Sequence, residues 1–147
     1  MNKEYELVSH TADLKIQAYG VTLEEVFRNA LKGMFSCIKP RSTHITYDDD
    51  IPHVKSYTSQ RKVVTRSTDK EVLLIDFLSD CLYLSAVHKE AYFDAKFISF
   101  SDTELEALLY GVAIEGYEVV EIKAVTYHDL VIEQNEGIWR ATIVFDI

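Results

Sequence analysis

A chain of 147 residues is the size of one domain and can bury a substantial core. Its 48% hydrophobic content, with 12% aromatics, excludes a disordered polypeptide. A net charge of −9, from 24 acidic and 15 basic residues, repels phosphate backbones and excludes strong direct nucleic-acid binding. That surface suits a cation or a basic protein partner instead.

Residues 1–147 read as a single domain. Glu4–Val8 and Leu14–Gly20 are expected strands joined by the Ser9-His10-Thr11-Ala12-Asp13 turn. In the second strand Leu14, Ile16 and Ala18 alternate with Lys15, Gln17 and Tyr19, and Asp13 has the parity of the polar set. Thr22-Leu23-Glu24-Glu25 is a capping box opening a helix. Its apolar stripe runs Leu23, Val26, Phe27, Ala30, Leu31, Met34, Phe35, Ile38, and Pro40 stops it.

Residues 41–53 carry three consecutive acids and a proline and read as a surface connection, followed by a polar strand over His53–Arg66. Thr68-Asp69-Lys70-Glu71 reads as a second capping box. The helix it opens has Leu74, Phe77, Leu78, Cys81, Leu82 and Ser85 in its stripe, flanked by Val72 and Ile75. From Ala91 the period falls to two. Strands are expected at Leu105–Ile114, Val119–Tyr127, Leu130–Gln134 and Ile138–Phe145, with turns at Glu115-Gly116 and Asn135-Glu136-Gly137. The fold class is α+β: two amphipathic helices on a largely antiparallel sheet of about seven or eight strands, curled or split.

Cys37 and Cys81 fall on apolar helix faces and read as buried free thiols of a reducing compartment. The chain starts without an apolar signal core and has no run of about 18 apolar residues, so a soluble cytoplasmic protein with no membrane association is expected.

Few residues invite chemistry. Asp146 shares parity with Arg140, Thr142 and Val144, opposite the apolar Trp139, Ala141, Ile143 and Phe145. It stands beside the carboxylate of the last residue, Ile147. If Asp13 folds next to this pair, three hard oxygen donors converge on a divalent cation; otherwise Asp13 and Asp146 are solvated or turn-capping aspartates. Oxygen-only donors favour calcium, magnesium or manganese over zinc.

Lys123 shares parity with Glu121 and is either a solvated lysine or a cation held near carboxylates and turned towards a partner. Lys123 and His128 are an odd number apart and leave opposite faces unless a bulge intervenes. His10 and His128 have no HxH or HExxH spacing, and His44, His53 and His88 are assigned nothing. Glu104, Glu106 and Glu115 have no fixed separation that would make an acid/base couple. Phosphate-binding loops, a nucleophile elbow and CxxC are all missing from the sequence.

The segments His10–Asp13, Ala18–Gly20, Thr22–Glu25, Leu73–Leu78 with Cys81–Leu84, Lys123–His128 and Asp146-Ile147 together resemble the archease family in order and spacing. The likeness spans essentially the whole chain, with residues 41–66 contributing least. It implies an accessory protein, not an enzyme, that activates the manganese- and GTP-dependent RNA ligase of tRNA splicing. Such proteins promote guanylylation of the ligase histidine and multiple turnover. A chaperone-like modulator of a tRNA methyltransferase, or of another RNA-processing enzyme, is the alternative the resemblance carries. It further implies that Asp13, Asp146 and Ile147 bind a divalent metal, calcium first and manganese or magnesium next, and that Lys123 acts on the partner.

Overall fold

The computed structural model describes residues 3–8 and 13–147. Strands β1 (Tyr5–Val8) and β2 (Leu14–Gly20) precede helix α1 (Leu23–Cys37). Strands β3 (Pro40–Arg41), β4 (Ile45–Asp48), β5 (Ile51–Val54) and β6 (Ser59–Arg66) lead to helix α2 (Lys70–His88). Strands β7 (Glu90–Phe100), β8 (Glu104–Ala113), β9 (Gly116–Tyr117), β10 (Ala124–Asn135) and β11 (Ile138–Asp146) complete the described order.

Every strand pairing is antiparallel. A four-stranded sheet runs β1-β2-β11-β10 and a three-stranded sheet runs β6-β8-β7, with β3–β9 and β4–β5 as small ribbons. The expected α+β class and split sheet are therefore present. The strand count is larger than expected, because residues 41–53 hold a hairpin where a plain connection was anticipated. Asp49 and Asp50 adopt φ of 49° and 64°, the left-handed pair that a two-residue hairpin turn requires. The expected strand over His53–Arg66 is divided, with β5 ending at Val54 and β6 starting at Ser59. Residues 118–123 are irregular, and the two strands expected around Tyr127 and Leu130 are one long β10.

Both helices are wedged between the two large sheets. Helix α1 packs on β1, β2 and β11 of one sheet and on β7 of the other, and α2 on β10, β6 and β7. The expected α1 stripe is buried from Val26 to Ile38, with Leu23 partly covered. Gly33 lets this helix approach closely, since a Cβ there would stand 3.0 Å from both Ile16 and Tyr5. Helix α2 buries Leu73 in addition to Leu74, Ile75, Phe77, Leu78, Cys81 and Ser85 of its expected stripe and flank, with Leu82 partly covered, because sheets cover it on two sides. The two helices meet β7 through rings. Phe27 stands edge-on to Phe100 at 5.0 Å and tilted to Phe77 at 5.9 Å, and Phe35 stands edge-on to Tyr92 at 5.6 Å. Such pairs add about 0.5–1.5 kcal/mol each beyond the area they bury.

The Thr22 hydroxyl accepts from the Glu25 N–H at 3.2 Å, as the capping box predicts. The second helix starts one residue later than expected. Asp69 is its N-cap and accepts from the Val72 N–H at 2.9 Å. At the other end of α2 the buried Glu90 receives both nitrogens of the Arg61 fork, at 2.9 and 3.0 Å, and the Tyr92 hydroxyl at 2.8 Å. Ser85 of α2 donates to the Glu90 carbonyl, which ties the helix end to β7. Burial alone would raise the Glu90 pKa, but the Arg61 and Tyr92 hydrogen bonds outweigh it and leave the carboxyl below its ordinary 4.5.

Both cysteines are free. Burial pushes the Cys37 thiol up to about 12 and the Cys81 thiol well above its ordinary value, so neither is a ready thiolate. Among the described residues no helix is long and apolar enough to cross a membrane.

Two measurements check this account. In urea unfolding, Thr22→Ala and Asp69→Ala should each lower stability by about 1 kcal/mol, whereas Thr68→Ala should cost at most a few tenths. Glu90 has a depressed folded pKa, so its stabilisation is present above pH 4.5 and fades as pH falls through the lowered value. Glu90→Gln should therefore lower the melting temperature most near neutral pH, with the gap from the parent closing in acid.

Candidate metal edge at the ends of three strands

Strand β11 lies between β2 and β10, and their register fixes what gathers at one end of the sheet. Leu14 pairs with Phe145, and Ala124 pairs with Asp146. Continued by one residue, the same registers set Asp13 across from Asp146 and Lys123 across from Ile147. Directly opposed residues of an antiparallel pair project to one face, with Cα atoms about 4.5–5.5 Å apart. The Gln17 amide donates to the Thr142 hydroxyl at 3.3 Å, which identifies that face two rungs further along. The Lys123 N–H donates to the Asp146 carbonyl at 2.8 Å, so the end of β11 is held on its β10 side beyond the last pair.

Asp13 and Ile147 are half-buried here, whereas Asp146 and Lys123 are exposed. The face is less polar than parity predicts. Asp146 and Arg140 are exposed, but Val144 and Thr142 are buried. Carboxylates opposed across two strands repel one another, and a cation between them removes that cost. Lys15, one rung inward, stands 3.7 Å from the Asp129 carboxylate. Among the described residues no three His, Cys, Asp or Glu side chains are grouped as a metal site. The edge brings the carboxylate side chains of Asp13 and Asp146 beside Ile147, and carboxylate oxygens are donors of the kind hard divalent ions take.

The bulge that would reconcile Lys123 with His128 is present. Register passes from Thr126–Val144 to Val131–Thr142, so residues 127–130 lie against Ile143 alone. Asp129 at its centre has φ of 54° and joins His128, at 3.4 Å, with Lys15. Sequence reading missed this Lys15–Asp129 contact. The detectable signal was the break in alternation at His128-Asp129, two polar residues in succession inside a strand. His10 and the Ser9–Ala12 part of the turn lie outside the described residues. Glu104 pairs with Arg66 at 3.1 Å and Glu106 with Lys62 at 3.6 Å, so both serve the β6–β8 surface and form no acid/base couple with each other.

A split antiparallel α+β domain with a carboxylate edge at the end of its last strand defines a class of small acidic proteins, and comparison with known proteins places the chain within it. The model of the archease protein family matches residues 5–147. "Protein archease" of Methanosarcina mazei is 38% identical over 152 aligned positions, covering 99% of this chain and 97% of that one. "Protein archease" of Thermoplasma acidophilum is 34% identical, covering 97% and 93%. The solution structure of Methanobacterium thermoautotrophicum protein 1598 superposes with a TM-score of 0.70 at 27% identity, covering 98% of this chain and 99% of that chain. The Thermotoga maritima crystal structure described as "an archease, possible chaperone" shares the fold with a TM-score of 0.62 at 23% identity, covering 95% and 94%. The chain belongs to the archease family.

The bulge can be tested by itself. A β-branched side chain is strained at positive φ, so Asp129→Val should cost at least about 1 kcal/mol, whereas Asp129→Gly should be close to neutral. Urea unfolding of the two variants separates them.

Proposed function

We propose that this protein is an accessory factor for the manganese- and GTP-dependent RNA ligase of tRNA splicing, and not a catalyst itself. It would promote guanylylation of the ligase histidine and allow repeated turnover. The observation that carries this reading is the register that aligns Asp13 with Asp146 beside Ile147, at the positions where the archease resemblance sets a metal site. Asp13, Asp146 and the Ile147 carboxyl would hold a divalent cation, calcium first and manganese or magnesium next. When bound, the ion supplies a concentrated positive charge at the edge, with coordination positions left for water and for groups of the partner.

The chain's own residues set the conditions for docking. Asp13 is fixed by its neighbour Leu14 in the sheet, and Asp146 by the Lys123 main chain. The Lys123 side chain, exposed next to Ile147, gives the edge a permanent cation that can meet an anionic group on the ligase or its nucleotide. The net charge of −9 keeps the protein from competing for tRNA, so contact with the ligase and not with RNA is expected, in the cytoplasm. Its two shielded thiols and ion-paired glutamates agree with a non-catalytic role.

A chaperone-like modulator of a tRNA methyltransferase is the second reading. It is favoured by the exposed apolar side chains Tyr83, Val87 and Val119, exposed to 68%, 55% and 57%, and by the description of the Thermotoga relative.

Ligase turnover assays decide between them. Asp13→Ala and Asp146→Ala, each folded, should lose stimulation by more than tenfold. Full stimulation by these variants would reject the metal edge and favour the chaperone reading. Calcium at a hundredfold excess over its Kd should stabilise the parent by about 2.7 kcal/mol. Residues appended after Ile147 should abolish that gain, and an unchanged gain would show that the terminal carboxyl is not a ligand.

A further inference from the structure

Two adjacent depressions run along the C-terminal half of α2. One, of about 470 Å³, lies between Tyr83 and Ala86 of the helix and the Ile122–Val125 segment. The other, of about 460 Å³, lies between Ala86 and Ile114–Tyr117 and reaches Lys89. Both are lined by Ala86, Tyr117 and Glu121, so they form one groove. From Ser79 to Lys89 the helix rises about 15 Å, the span of roughly five extended residues.

Three features define what fits. The helix flank is largely apolar and open, since Leu82, Tyr83 and Ala86 line it and Tyr83 is 68% exposed, on a helix whose apolar residues are not confined to its covered faces. The middle of the groove is negative: Glu115 and Glu121 are exposed on its wall, and neither makes an ion pair within 4 Å among the described residues. Its lining cations, Lys123 and Lys89, stand one in each half. The groove and the candidate metal edge share one residue, because the same Lys123 bonds the Asp146 carbonyl through its N–H.

We propose that this groove receives an apolar segment of the ligase, about five residues long, with a central lysine or arginine facing Glu115 and Glu121. Seated there, the segment sets the ligase against the Asp13–Asp146 edge. The inference rests on the accessory-protein reading above and names the surface by which the partner is held. A second copy of this chain is a poor occupant, since it would bring another −9 charge to an acidic groove.

The experiment measures ligase affinity, calcium affinity and stimulated turnover for the full chain and two variants. Ala86→Arg fills the shared midpoint and opposes the incoming cation, at an exposed helical position that accepts arginine. It should weaken ligase binding at least tenfold, leave calcium affinity unchanged and preserve turnover at saturating concentration. Glu121→Lys should weaken binding severalfold and flatten its salt dependence. Unchanged binding by folded Ala86→Arg overturns the groove, and unchanged binding by Glu121→Lys overturns the basic segment. A parent dimer that Ala86→Arg converts to monomer in sedimentation assigns the groove to a second copy and likewise overturns it. Failure of the parent to bind the ligase at all defeats the accessory reading, and the groove with it.

Discussion

The structure depends on where β11 sits. This last strand is flanked on both sides, by β2 and by β10, and its Ala141, Ile143 and Phe145 are fully buried. Burial of one face fixes register, because a slip by a single residue would turn those three side chains outward. The same constraint brings Asp13 and Asp146 together, since the pairing that protects Phe145 also aligns them. The apolar core thus sets the geometry of a polar edge that contributes nothing to it.

Around this strand the helices act as wedges. Two sheets that do not close on each other need a filling between them, and α1 and α2 supply it with rings and aliphatic side chains on more than one face. The Arg61–Glu90–Tyr92 cluster fixes the point where α2 gives way to β7, and Ser85 joins the helix to it. Nearby, Lys39 sits 3.1 Å from Asp50, 3.4 Å from Glu118 and 5.2 Å from the Tyr47 ring centre. This links the β4–β5 hairpin to the irregular 118–123 segment. That segment carries Lys123 to the Asp13–Asp146 edge and forms one wall of the groove along α2. The edge and the groove are therefore positioned by one stretch of chain.

Charge divides the surface by task. An excess of nine negative charges keeps polyanions at a distance and favours cations and basic segments. Several surface carboxylates face a lysine or arginine across a strand pair, as Glu104, Glu106 and Glu133 do. Glu115 and Glu121, by contrast, make no ion pair within 4 Å among the described residues.

Much of this was legible in the residues themselves. The α1 stripe, its Thr22 cap and the Pro40 stop needed only helical period and capping chemistry, which are local. The parity of Asp13 and of Asp146 was also local, and it set each on the polar side of its own strand; that the two oppose each other came from the β2–β11 register. The hairpin at Asp49-Asp50 was hidden because a two-aspartate turn lacks the glycine that announces such turns. The Asp69 cap was hidden because Thr68 satisfies the same pattern one residue earlier. The bulge at Asp129 left a local trace in the broken alternation at His128-Asp129, but no local rule could give the contact of Lys15 with it or the groove against α2. Each arises from elements far apart in the chain, and only packing both sheets around two helices decided which residues face one another.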